Sequence, residues 1–169
     1  VSMTRIMGAI MTGIILAGRT GASYAAVIGT MQVNEEIDAL TTLGVAPSDY
    51  LIMPRVLALT AMTPLLVLYS DFMGIMGGFI VGVGILGLDP MEYYTFTQKG
   101  FNINNLWVGM VHGAVYGMII AITGCYQGLR CGRNAEAVGK ATTSAVVYSI
   151  VGIVLSMAVL TILCNILNI

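Results

Sequence analysis

Apolar and polar positions along this chain separate into long blocks. Four apolar stretches stand out: about Ile6 to Met31, Val56 to Leu88, Leu106 to Tyr126, and about Ala141 to Ile169. Each is long enough to cross a hydrocarbon layer, which takes about 20 apolar residues as a helix. The pattern predicts an all-α, polytopic transmembrane helical bundle of four spans, one domain over residues 1–169. The second stretch holds 33 residues. That is roughly 50 Å of helix against a hydrocarbon core of about 30 Å. Its only polar interruption is Ser70-Asp71, too little for a turn. One long, tilted helix is expected, kinked by Pro64 and loosened around Gly74.

With four spans, segments 32–55 and 127–140 share one side, and segment 89–105 lies opposite. The first side carries Arg55, Arg130, Arg133 and Lys140, the other Lys99 alone. Positive charge concentrates on cytoplasmic loops, so the first side is expected to be cytoplasmic. Segment 89–105 brings Tyr93, Tyr94, Phe96 and Phe101, with Trp107 just after. Such density fits an aromatic belt at the outer interface; a docking surface for an external partner is the alternative. Small residues recur every fourth position in three rows: Gly13, Ala17, Gly21, Ala25 and Gly29; Gly74, Gly78 and Gly82; Gly109, Gly113 and Gly117. Rows of this kind let helix backbones approach closely in lipid. They predict a tight bundle and allow a homodimer.

Composition agrees with the pattern: 57% hydrophobic and 9% charged residues, mean hydropathy +0.91. Net charge is −1, and the scattered cations give no nucleic-acid footprint. Cys125, Cys131 and Cys164 form no C-x-x-C pair, and one histidine cannot complete a metal cluster, so no metal site or disulfide framework is expected. Val1 in place of a start methionine leads us to expect that further sequence precedes it. GVGILG at 82–87 matches a dinucleotide fingerprint in spelling only, because it lies inside an apolar span with no strand before it. Gly139-Lys140 is followed by Ala141, and no glycine stands five positions before Gly139. The phosphate-binding loop of nucleotide hydrolases is therefore missing, and the chain is expected to be neither an enzyme nor a nucleotide binder.

Arg19, Asp71 and His112 fall within the apolar stretches. Arg19 lies well inside the first, and Asp71 on the second is a candidate partner for it; snorkelling to the cytoplasmic interface is the other reading for Arg19. His112 lies mid-span beside Gly109 and Gly113, placed for a proton relay or for a hydrogen bond across a helix seam. Together these three define an alternative function, an ion- or proton-coupled secondary transporter.

Four of the eight acidic residues crowd into one short stretch: Glu35, Glu36, Asp38 and Asp49. Val33, Ile37, Leu40 and Leu43 make one apolar stripe of a short helix there. Asn34 is placed to cap its start and Gly44 to end it. Helices that rest on anionic membranes favour Lys and Arg on the polar face. An acidic face suits a basic protein partner, so a docking element is expected.

LAGRTGASYAAVIGTMQVNEEIDALTTLGVAPSDYLIMPRVLA resembles the signature region of MlaE-type permeases of ABC lipid transporters. GCYQGLR at 124–130 and AVGKATTSAVV at 137–147 resemble that family's second signature. The resemblance implies a permease without cofactor in the bacterial inner membrane, paired with a second copy as a homodimer. It implies an ABC ATPase subunit that binds ATP, a periplasmic MCE-domain protein, and phospholipid moved between inner and outer membranes to maintain outer-membrane lipid asymmetry. Residues 32–43 would be the coupling helix, with Glu35, Glu36, Asp38, Ile37 and Leu40 gripping the ATPase; Arg5 would contact lipid. The chain departs from the family pattern at Ile6, Val27 and Met157, where acidic residues are common.

Overall fold

Apolar runs without β-branched alternation build helices here, and small residues decide how those helices meet. The computed structural model describes residues 6–100 and 103–166. Its α-helices are α1 (Gly8–Leu16), α2 (Ala22–Val33), α3 (Glu36–Thr42), α4 (Met53–Gly84), α5 (Pro90–Gly100), α6 (Ile103–Leu129) and α7 (Ala135–Ile166). Two five-residue π-helical stretches join them: Ala17–Gly21 between α1 and α2, and Ser48–Ile52 ahead of α4. No strand occurs among the described residues.

The expected count of four spans is corrected to three. Ser48–Gly84, Asn104–Leu129 and Ala135–Ile166 are long and apolar enough to cross a membrane. The first stretch is helical from Gly8 to Val33, but Arg19, Thr20, Ser23 and Gln32 dilute its hydropathy. It still packs in the same bundle, with Ala17, Ala25 and Ile28 fully buried. The second stretch is one helix, as its single polar interruption required. Within α4, Pro64 removes the donor that would serve the Thr60 carbonyl. The Thr63 hydroxyl lies 3.5 Å from that oxygen and 2.8 Å from the Leu59 carbonyl, so a side chain offsets part of the missing backbone bond.

Two of the three small-residue rows close seams within the chain. Gly113 faces Val67 and Pro64, and Gly117 faces Thr63 and Leu59, which sets α4 antiparallel to α6. Gly13 receives Tyr116 and Ile153, Gly21 receives Ile120, and Gly29 receives Cys131 and Val138. Outside those rows, Gly124 and Gly128 bring α6 against the backbone of the first stretch. A Cβ on Gly124 would lie 2.8 Å from the Gly21 carbonyl oxygen, and one on Gly128 would lie 2.7 Å from Ile28 Cβ. Backbone-to-backbone packing of α2 on α6 therefore depends on these two glycines. The remaining row does something else: Gly78 and Gly82 make room for Tyr93 of α5, whose hydroxyl donates to the Ile75 carbonyl at 2.9 Å.

Segment 89–105, expected as an outer loop, is largely helix α5, pinned against the far end of α4. The α2–α4 connection and the α6–α7 connection meet at the opposite end. Arg133 reaches Asp38 there at 2.7 Å, so the two segments that alternation of spans assigns to one side do share one end of the bundle.

Candidate functional site

At that shared end, α2 does not run on into a coupling helix spanning 32–43. It stops at Val33, and Glu35 turns the chain in the left-handed region, at φ 59° and ψ 17°. Few residues other than glycine or asparagine settle there. The short helix α3 then starts at Glu36, so Asn34 is not its cap. The Asn34 amide instead donates to Glu36 Oε1 at 3.3 Å. Gly44 does end the helix, at φ +77°. Its N–H donates to the Thr41 carbonyl, and the N–H of Val45 donates to the Leu40 carbonyl, each at 3.1 Å. This is the paired closure that glycine allows at a helix C-terminus.

Ile37 is the buried anchor of α3, grouped with Ile28, Leu51 and Cys125, and Leu40 packs against that group. Val33 belongs to α2, and Leu43 is exposed, so the expected four-residue stripe shortens to Ile37 and Leu40. Tyr50 and Met53 are exposed just beyond. The acidic residues divide. Asp38 and Glu35 meet Arg133, at 2.7 and 3.7 Å, with all three side chains largely in solvent. Glu36 has no ion pair among the described residues and faces outward. Arg133 carried weight in the sequence only as a positive-inside charge. Its role as a clasp needed the two connections to be read as neighbours, which the span count implied.

Arg55, another of the positive-inside charges, has a second role. It stacks over the Tyr24 ring at 5.5 Å, joining the head of α4 to α2 by a cation–π contact. The three cysteines are unpaired. Cys131, in the short α6–α7 connection, is packed against Gly29, and burial pushes its thiol up from the usual range.

Deeper in the bundle, Arg19 and Asp71 do not meet. Arg19 is exposed on the π-helical stretch, whereas Asp71 is 3% exposed and neither carboxyl oxygen has a partner among the described residues. His112 is buried. Its Nδ1 lies 2.8 Å from the Val108 carbonyl, and its Nε2 has no partner among the described residues. Arg5 lies outside the described residues.

Comparison with known proteins places this geometry. The family model for the MlaE permease matches residues 1–163. A probable ABC transporter permease protein of Rickettsia typhi is 44% identical over 160 residues, covering 95% of this chain and 62% of that protein. One from Synechocystis is 38% identical, covering 92% of this chain and 59% of that protein. The chloroplastic protein TRIGALACTOSYLDIACYLGLYCEROL 1 of Arabidopsis thaliana is 35% identical, covering 94% and 45% respectively. The chain thus spans less than two thirds of the length of these curated relatives.

Proposed function

The chain belongs to the MlaE permease family, and from that premise we propose that it is part of the permease subunit of an ATP-driven lipid transporter. Its cargo is phospholipid or a related hydrophobic compound, moved between inner and outer membranes. The name of the Arabidopsis relative points to a galactolipid, which favours a lipid cargo over a small polar one. The Rickettsia and Synechocystis relatives are named as ABC transporter permeases. ATP is hydrolysed in a separate ABC ATPase subunit. The inner membrane, a second permease copy and a periplasmic MCE-domain protein complete the arrangement.

One observation carries the ATPase-docking part. A seven-residue helix is tethered by buried Ile37, turned by Glu35, and connected on both sides to long bundle helices. It presents Glu36, Leu43 and, beyond the turn, Tyr50 outward. A patch with a free carboxylate and exposed apolar side chains fits a partner with a basic rim and an apolar pocket. Glu36 is the better probe of that contact than Glu35 or Asp38, which Arg133 already holds. In the full-length transporter, Glu36→Lys should weaken retention of the ATPase subunit or uncouple its hydrolysis from lipid transfer, with the thermal midpoint unchanged. Wild-type ATPase retention and wild-type lipid transfer in that variant refute the docking role.

A further inference from the structure

The layer that contains Asp71 is polar at membrane depth, and the register of three helices defines it. Val67 of α4 faces Gly113 of α6, and Tyr116 of α6 packs on Gly13 of α1. Val67 and Tyr116 belong to one buried group. One helical turn farther from the loop end than Val67 stands Asp71 on α4, which this register sets opposite Gly109 of α6; His112, next to Gly113, stands less than a turn nearer the loop end, and both side chains are buried. Helical side chains lean toward their own N-terminus. Asp71 therefore leans back toward the loop end, and His112 leans away from it, which carries the two toward a common level.

Both arrive there unsatisfied. The two Asp71 oxygens and His112 Nε2 are buried without partners among the described residues. Water is scarce at this depth, and buried polar groups that stay unpaired are rare and costly. We propose that Asp71 and His112 form a proton-binding site, sharing a single proton across the α4–α6 seam, through one side-chain rotation or one bridging water. The Val108 carbonyl can only accept, so Nδ1 carries a hydrogen and Nε2 is the atom turned to Asp71. With one shared proton the pair is neutral overall. Either the carboxylic acid donates to Nε2, or imidazolium donates to the carboxylate. Releasing the proton to water leaves a bare carboxylate in the core; adding a second leaves an unpaired imidazolium. Each charged alternative is disfavoured by the low dielectric.

Among the described residues no other charged group is buried beside the site: Asp89, Glu92 and Lys99 at and on α5 are exposed, and the charges of α7, Glu136 and Lys140, are exposed at the loop end. On α1, Gly8 to Leu16 carries nothing titratable. On α5, Tyr93 is committed to the Ile75 carbonyl. In the stretch before α4, Asp49 and Tyr50 lie at the loop end and are exposed. On α6, Tyr116 stands edge-on to His112 at 5.9 Å between ring centres and supplies a neutral hydroxyl. Arg19 is exposed and packs elsewhere.

The test uses the full-length protein in lipid nanodiscs, labelled with ¹⁵N-histidine. The His112 signals are those lost in His112→Gln. Asp71→Asn keeps the size and polarity of the side chain but removes the shared proton. The expected result is a His112 Nε2 signal intermediate between neutral and protonated imidazole, shifting to the neutral position in Asp71→Asn. Thermal midpoints of the two single variants and the double variant should be non-additive, with the double variant losing less than the sum. Either an unmoved Nε2 signal or an additive cycle overturns the site. Both readouts stand whether or not the protein carries lipid, so failure here leaves the transport proposal where it was.

Discussion

Two acidic sites in this molecule sit in opposite surroundings. At the loop end, Glu35 and Asp38 share Arg133 in largely open solvent, with side-chain exposures of 70% and 48%. In the bundle, Asp71 is 3% exposed and meets no cation among the described residues. Solvated ion pairs gain little, about 0.2–1 kcal/mol, because water screens them and side-chain entropy opposes them. Such charges are free to exchange one partner for another, which is what a docking surface requires. A buried carboxyl has no such freedom. It persists only where something nearby takes up its hydrogen-bonding capacity, and His112 is the group placed to do so.

The largest effect should come from reversing the buried site. Asp71→Lys places an ammonium beside His112, at an expected cost of about 2.5–3.5 kcal/mol for a charge at mid-bilayer depth. The membrane-inserted yield of the protein, measured by fractionation and protease protection, should fall sharply. Normal insertion would mean that Asp71 lies nearer solvent than its burial indicates. Next comes the clasp. Arg133→Glu sets three acids together and should lower stability by about 1 kcal/mol, a loss that shrinks as salt screens the repulsion. Thermal unfolding in detergent at low and high ionic strength reads this directly, and equal losses at both would detach Arg133 from Glu35 and Asp38. The smallest effect lies at the turn. Glu35→Gly relieves a left-handed side-chain residue but gives up the longer contact to Arg133. The net gain should be roughly 0.5 kcal/mol, seen as a slight rise in midpoint. A fall would show that the Glu35 side chain matters more than its backbone.

Much of the architecture was legible in the order of apolar blocks. The single long α4 followed from the lack of any polar turn near Ser70, and the shared end of segments 32–55 and 127–140 followed from alternation of sides. The acidic helix was readable from Ile37, Leu40 and Gly44, because a buried anchor and a terminating glycine are local signals. Its start was not, because Glu35 adopts a left-handed conformation for which its own residue type gives no warning. Glycine rows were visible, but what filled them was not. Gly78 takes a tyrosine side chain from α5 rather than the close backbone of another helix, and only the three-dimensional path of segment 89–105 reveals it. The separation of Arg19 from Asp71 was equally hidden. Opposite charges on two helices suggest a pair, but the rotation of each helix decides whether they meet.

Tyr93 fastens α5 to α4 beyond the midpoint of a helix that begins just after the α3 loop. At about 1.5 Å per residue, α4 reaches roughly 48 Å from one face to the other. It therefore behaves as a lever with its handle among the acids and its load at α5. A tilt of about 5° at the handle sweeps the far tip through about 4 Å, close to the width of a hydrocarbon chain. Work done at one water interface can thus arrive at the other without any signal having to pass from side chain to side chain.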